Sequence, residues 1–512
     1  MKTNSLPPFE EMRLLPPLPR VPIRMRLPSL VLLVFWMALA PSLEAQIPRE
    51  EYRQRRAALA GRFGDGVVVV LGSSAPRQDY IPFHQNSAFR YLTGFLEPDA
   101  ALVLEVRAGE LQEVLFVNSR NPAQETWEGI RMGPEGSFAQ TGIVGEPIQN
   151  LSEFLRQRLR SGDRLGLVGW NGGASGVAVR DDVNQRIDAL LTSLPSALER
   201  VPLDAELNRL RAVKSEAELN LLRKANQITV EAHREVGSAL RSGMNEFEIQ
   251  ALLEYTFRRY GAERPAFASI VGSGPHSTIL HYNQNDRFME EGEVVVVDIG
   301  ASFGGYAADI TRTYPVGGRI PAAQREIYTW VRRAQAEAER RARAGVSVAE
   351  LSQIAAAVLA QGLTEMGLIE GPEATYEGPG GQTLPQLRLF YMHGLGHGVG
   401  LDVHDPWPAI LEPGVVFTLE PGIYVRPNLI QEIIPDTPSN RRWIERLLPA
   451  FERYVGTGVR IEDGYRIRSD GELEWLSPFA RDLEEMEAML SEPRRGPAER
   501  RSEWLEWSRP PR

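Results

Sequence analysis

No cysteine occurs among the 512 residues. Disulfide bridges, thiolate-held zinc and a cysteine nucleophile are therefore excluded. Histidine is scarce too, with seven copies, so any metal must be held by Asp, Glu and a few imidazoles. There is no excess of positive charge: 57 Lys and Arg stand against 67 Asp and Glu, a net charge of −10. That balance argues against a general electrostatic grip on nucleic acid or anionic lipid. No solenoid-type repeat is present. What is there is ordinary globular material, 43% hydrophobic and 24% charged, which rules out disorder throughout and a multi-span membrane protein.

Arg20, Arg24 and Arg26 precede an apolar run over residues 30–40, and Pro41-Ser42-Leu43-Glu44-Ala45 follows it. A basic flank, a short apolar stretch and a small residue at a cleavage position describe a secretory signal peptide over residues 1–45. Its 11 apolar residues fall short of the roughly 20 that span a bilayer. The expectation is an exported protein, periplasmic or secreted, cleaved near Ala45 and without stable membrane insertion. An uncleaved anchor or a buried helix is the alternative, and Met25 offers a second start. Residues 46–205 then read as an α/β domain, with strands at Gly66–Leu71, 101–106 and 114–117 and helices at 151–159 and 183–194. It carries no cluster of carboxylates or histidines. A second domain is expected over residues 206–490. It opens with helical patterns at 207–237 and 246–260, where Ser215 and Glu218 have the spacing of a capping box. Strands follow at 293–299, 306–313, 415–419 and 459–462, with helices at 322–344 and 348–366. Residues 491–512, rich in Pro, Arg and Glu, are expected to be a disordered tail.

The chemistry concentrates in the second domain. Val294-Val295-Val296-Val297-Asp298 ends a buried strand in a carboxylate, and Asp309 lies 11 residues on in a second strand-like segment. Gly304-Gly305 between them permits a turn that brings the two acids side by side. Neighbouring buried carboxylates repel unless a proton or a cation sits between them. The segment from His393 to Asp405 then places His393, His397 and His404 among glycines that disfavour an ordinary helix. It lacks the Glu of the helical zinc motif, so alternation along an extended segment is the better geometry. Glu420, before Pro421-Gly422, and Glu462, two residues after Arg460, each end or sit in further strands. Asp298, Asp309, His397, Glu420 and Glu462 make an oxygen-rich set, suited to two divalent ions such as manganese or cobalt, with zinc also possible. Two such ions about 3.5–4 Å apart can hold a hydroxide between them and polarise a carbonyl, which is machinery for hydrolysis.

That ordered pattern of Asp, Asp, His, Glu-Pro-Gly and Arg-x-Glu-Asp resembles the pita-bread metallopeptidases, among them methionine aminopeptidase, prolidase and aminopeptidase P. The segment from His84 to Gly94 resembles the preceding domain of the aminopeptidase P and prolidase branch. The resemblance covers roughly residues 47–490. It implies an α/β N-terminal domain of the creatinase/prolidase type followed by an α+β pita-bread catalytic domain. It also implies that Asp298 chelates one metal, that His397 and Glu420 bind the other, and that Asp309 and Glu462 bridge both. His281, His393 and His404 match histidines that line the family's pocket, and Arg460 is implied as a partner of the carboxylates. His233 and His276 have no such match and are read as structural.

The expected function is that of a Xaa-Pro aminopeptidase, with Glu420 also accepting the proton of the attacking water and His281, His393 and His404 steadying the oxyanion or the substrate's ends. Prolidase activity on Xaa-Pro dipeptides is the alternative. A non-catalytic binding module on the same fold is a third reading, disfavoured because all five ligands are kept. The resemblance further implies a homo-oligomer, dimer or tetramer, with the N-terminal domain as a lid. The charged, proline-containing stretch 426–454 is expected to loop out near the rim. Asp405-Pro406-Trp407-Pro408 departs from the turn common in relatives.

Overall fold

The computed structural model describes residues 46–78, 81–170 and 181–492. The signal peptide expected over residues 1–45 lies outside them, as do residues 493–512 of the expected tail.

Four successive valines favour an extended chain, because β-branched side chains fit a pleated, buried surface. They form the central part of β1 (Gly66–Leu71), which is buried along its whole length. Around it stand β2 (Ala101–Arg107), β3 (Glu110–Val117), β4 (Val144–Pro147), β5 (Arg164–Val168) and β6 (Glu199–Pro202) in the order β4-β3-β2-β1-β5-β6. β1 pairs antiparallel with β2 and parallel with β5. The period of two divides its side chains. Val67 and Val69 pack under the helices Leu151–Arg158 and Asp181–Thr192. Val68 and Val70 face the other way and share a core with Leu219, Leu222 and Val297 of the second half. One face of the N-terminal sheet is thus continuous with the interior of the catalytic half.

The linking chain is a helix, Asp204–Ala212, then a break, then the long helix Glu216–Ala239. The single helical pattern expected over 207–237 is interrupted because Val213 leaves the helix to bridge Val415, and the Lys214 amide donates to the Gly414 carbonyl. Ser215 restarts the helix with a complete capping box: its hydroxyl accepts from the Glu218 amide at 3.2 Å, and the Glu218 carboxylate accepts from the Ser215 amide at 3.0 Å.

The catalytic half is built on antiparallel strands. β7 (Arg264–Pro265), β10 (Ala301–Phe303) and β11 (Tyr306–Ala307) form one short sheet, and β8 (Ile270–Ser273), β9 (Val294–Ile299) and β12 (Ile310–Pro315) form the next. β13 (Thr375–Glu377) and β14 (Thr383–Pro385) make a separate hairpin. β15 (Val416–Leu419), β18 (Asp463–Ile467) and β19 (Leu473–Trp475) make a third sheet, and β16 (Gly422–Val425) pairs with β17 (Thr457–Arg460). The strand expected over 306–313 is therefore two, broken at Ala308-Asp309. The helices Ala322–Arg341 and Val348–Glu365 pack against this assembly.

The expectation of a loop over 426–454 is corrected. After a short turn at Leu429–Ile433 the chain forms a helix, Pro438–Tyr454, which buries Asn440, Trp443, Leu447, Phe451 and Tyr454. Its apolar residues recur at helical spacing and join the core that contains Leu419 and Ile461. The charges that suggested a loop, such as Arg441, Arg446 and Arg453, occupy its outer face.

Candidate active site

Asp298 belongs to β9, and its cross-strand partner in β12 is Thr311, which in turn bridges Glu462. Paired residues of neighbouring strands present their side chains on one face, so Asp298, Thr311 and Glu462 form a row. Asp309 precedes β12, two residues from Thr311. The chain closes tightly there: a Cβ at Gly300 would stand 1.9 Å from the Ala308 carbonyl oxygen, so only glycine fits. Glu420 follows β15, where its amide donates to the Leu395 carbonyl at 2.7 Å.

The histidine segment is not an extended strand. Residues 397–405 fold back on themselves, with Gly398 bridging Asp405, and the His397 and His404 rings lie against each other, tilted by 47° with centroids 4.1 Å apart. His397 Nδ1 lies 3.1 Å from the Gly398 carbonyl. A carbonyl only accepts, so Nδ1 carries the proton and Nε2 turns its lone pair outward. That Nε2 stands 3.5 Å from Asp309 Oδ2 and 3.8 Å from both Glu420 Oε1 and Glu462 Oε1. By the same reasoning His393 donates from Nδ1 to the Gly394 carbonyl at 2.8 Å and accepts at Nε2 from the Tyr424 hydroxyl at 2.8 Å.

Arg460 links the carboxylates to the histidine segment through Tyr424. It donates to Asp298 Oδ2 at 2.6 Å, to the Tyr424 oxygen at 2.9 Å and to the Leu280 carbonyl at 3.2 Å. The last contact pins the segment that carries His281, whose own side chain lies exposed on the rim. Burial, reinforced by Arg460, lowers the His393 imidazole to about 4, so it is neutral at pH 7.

Arg460 pairs with Asp298 alone, and among the described residues Asp309, Glu420 and Glu462 have no Lys or Arg partner. Burial, then the charges of Glu462 and Asp298, push the Asp309 carboxyl well above its ordinary range. Burial and Glu462 do the same to Glu420, and burial and Asp298 raise Glu462. Asp298 Oδ1, Asp309 Oδ1 and Glu462 Oε1 are buried without a hydrogen-bond partner. Such acceptors are costly to leave unmatched. One ligand atom from each of Asp309, His397 and Glu462 lies within 4.8 Å of the others. Three orphaned carboxylate oxygens and an outward imidazole lone pair fit a hard divalent cation. A second grouping, Glu246, His276 and Asp286, is different. Glu246 already accepts from Ser273, Tyr282 and the Arg287 amide.

Asp298, Asp309, His397, Glu420 and Glu462 thus converge, with His393 and His404 beside them and His281 at the edge. His233 is fully buried, and its Nε2 donates to the Ile310 carbonyl at 3.0 Å. Sequence reasoning missed Thr311, whose hydroxyl donates to Glu462 Oε2 at 2.8 Å, and Tyr424, which links Arg460 to His393. The signals were present: Thr311 and Thr313 alternate within a buried strand, where hydroxyls need partners, and Tyr424 follows the Pro-Gly turn after Glu420.

A family model described as metallopeptidase family M24 matches residues 220–469, and one described as the aminopeptidase P N-terminal domain matches residues 52–166. Over 460 residues the chain is 31% identical to the Xaa-Pro aminopeptidase of Escherichia coli (strain K12), covering 87% of this chain and 98% of that protein. It is 30% identical over 461 residues to the Xaa-Pro dipeptidase of Homo sapiens, covering 83% and 89%. Among solved structures, zinc-substituted E. coli aminopeptidase P in complex with product aligns with a TM-score of 0.75 at 30% identity, covering 88% of this chain and 100% of that one.

Proposed function

The chain belongs to metallopeptidase family M24, in the Xaa-Pro aminopeptidase branch, with an aminopeptidase P N-terminal domain ahead of a pita-bread catalytic domain; on that premise we propose that it releases the N-terminal residue from peptides with proline in second position. The observation that carries the reading is the set of buried, orphaned oxygens of Asp298, Asp309 and Glu462, with ligand atoms of Asp309 and Glu462 grouped with that of His397. In this proposal Asp298, Asp309, His397, Glu420 and Glu462 would together hold two divalent ions. The oxygen-rich donor set favours manganese. Two bound ions would supply an activated water at neutral pH and a polarised scissile carbonyl.

The remaining work falls to the chain. Glu420, at the edge of the carboxylate cluster, would accept a proton from the attacking water and pass it to the leaving nitrogen. Neutral His393, whose two nitrogens are engaged by the Gly394 carbonyl and the Tyr424 hydroxyl, lines the pocket, and His404 and His281 at the rim would donate to the developing oxyanion or hold the substrate's ends. Arg460 and Thr311 keep Asp298 and Glu462 in place. A proline nitrogen carries no hydrogen once acylated, so recognition must come from the ring.

Export is part of the proposal, supported by the basic flank and apolar run before Ala45. Among the described residues no helix is long and apolar enough to cross a membrane. A homo-oligomer is supported by Trp127, Ile130 and Phe138 of the N-terminal domain, large apolar side chains that are 88%, 71% and 63% exposed. The test is a release assay with manganese, comparing arginyl-prolyl-proline with arginyl-proline. Free arginine from the tripeptide is expected. Hydrolysis of the dipeptide alone would replace the proposal with a prolidase, and metal binding without release from either peptide would leave a binding module.

A further inference from the structure

The histidine hairpin also carries a second cluster of charges that the reaction does not use. Asp405 follows His404, and its carboxylate fills the inside of the turn. A Cβ at Gly400 would stand 2.5 Å from Asp405 Oδ2, and the Asp402 amide donates to Asp405 Oδ1 at 3.1 Å. Two cations from the linker between the domains converge on it. Lys214 donates to Asp405 Oδ2 at 2.8 Å, and Arg211 donates both to Asp405 Oδ1 and, at 2.7 Å, to Asp402 Oδ2. Asp402 also accepts from the Ser87 hydroxyl at 2.6 Å, and Ser87 opens the helix Ser87–Thr93 of the N-terminal domain.

The Arg211, Lys214 and Asp405 side chains are 3%, 1% and 2% exposed. Such groups are costly to bury, and a hydrophobic packing of similar volume would often serve stability as well. The cluster is charge-neutral: two acids meet two bases. Burial pushes the Asp405 carboxyl up, but Arg211 and Lys214 hold it below its ordinary range. Its geometry is what sets it apart. It grips the hairpin from both ends of the turn, at Asp402 and at Asp405, and the residue between them and the site is His404. The other arm of the same hairpin carries His397.

We propose that Ser87, Arg211, Lys214, Asp402 and Asp405 form an interdomain latch, a set of positioning residues through which the N-terminal domain and the linker fix His397 and His404 against the carboxylates. The glycine-rich hairpin has few side chains of its own to hold its shape. The latch supplies that rigidity from outside. The N-terminal domain is therefore a structural part of the catalytic centre, and the Ser87 hydroxyl is its hydrogen bond to the hairpin.

The kinetic part of the test rests on the aminopeptidase reading, and the metal-binding part does not. Removing Arg211 or Lys214 leaves the buried Asp405 carboxylate with one of its two bases and endangers folding, so the informative variants are Ser87→Ala, Asp402→Ala and Asp402→Asn in the full chain. Two quantities are read: manganese affinity by calorimetry, and kcat and KM for arginyl-prolyl-proline per folded molecule. Loss of partners that orient metal ligands costs about 10–100-fold in affinity or activity, and small misplacements act mainly on the chemical step. Asp402→Ala is expected to weaken metal binding and lower kcat by about 10-fold, with KM changed less than about twofold. Asp402→Asn, which retains one acceptor, should fall between it and the parent, and Ser87→Ala, which removes one donor to a carboxylate still held by Arg211, should lose about two- to fivefold. If Asp402→Ala lowers the melting temperature but keeps full metal affinity, the latch is merely structural and the proposal is overturned. If the parent binds manganese but releases no arginine, the aminopeptidase reading fails while the affinity series still decides the latch.

Discussion

The site is assembled from two kinds of chain. Asp298, Asp309, Glu420 and Glu462 stand within or at the ends of buried β-strands, where ladder hydrogen bonds and side-chain packing fix each backbone. His393, His397 and His404 stand on a glycine-rich segment with almost no regular structure, tied down by backbone contacts such as the Thr418 amide to the His397 carbonyl and by charges brought from the interdomain linker. The strand half is rigid by construction and electrostatically unsatisfied. The hairpin half is satisfied but needs external support. The difference separates two tasks: holding negative charge together against its own repulsion, and aiming an imidazole at it.

The largest effect should come from breaking the strand half. Asp309→Ala or Glu462→Ala is expected to abolish both metal binding and hydrolysis, as metal analysis and arginine release would show; full activity in either variant contradicts the dinuclear arrangement. Next in size is the packing beneath it. Trp443→Ala, in the helix Pro438–Tyr454, should cost about 3–5 kcal/mol in urea unfolding, whereas a residue on a free surface loop would change stability by no more than about 0.5 kcal/mol. Thr311→Val removes the donor to Glu462 Oε2 and should weaken metal binding about 10-fold while preserving the fold; an unchanged affinity would mean that strand geometry alone aims Glu462.

The smallest expected effect is a pH dependence of stability. Burial, aided by Arg312, lowers the His233 imidazole to about 3, and its Nε2 holds the Ile310 carbonyl next to Asp309. The unfolded chain takes up this proton near pH 6.5 and the native chain only near the lowered value, so the unfolded state binds more protons between them. This contribution is whole above about pH 6.5 and is lost as the pH falls below it, with a limiting slope of about 1.4 kcal/mol per pH unit. Unfolding midpoints at pH 7 and pH 5 should differ less in His233→Asn than in the parent. Equal differences would assign the acid sensitivity elsewhere.

Much of this arrangement was legible in the sequence, for physical reasons. Val294–Ile299 reads as a buried strand because four β-branched residues adjoin, and a carboxylate at its end demands a partner. The clustering of His393, His397 and His404 among glycines is visible without coordinates. What was hidden depends on long-range pairing. Nothing local brings Thr311 beside Glu462, 151 residues away, or Ser87 beside Asp402, 315 residues away. The 426–454 stretch misled because its charges are frequent, although Trp443, Leu447, Phe451 and Tyr454 keep a helical period. The break at Val213 was hidden because a residue of moderate helix propensity leaves the helix only when a distant strand, here at Val415, is present to receive it.

The most direct test of the central claim is to strip the protein of metal and follow arginine release from arginyl-prolyl-proline while manganese is titrated back. The account predicts no release from the stripped protein, recovery that reaches a plateau at two equivalents, and no recovery in Glu462→Ala. Release that survives stripping, or saturating metal binding with no release, would contradict it.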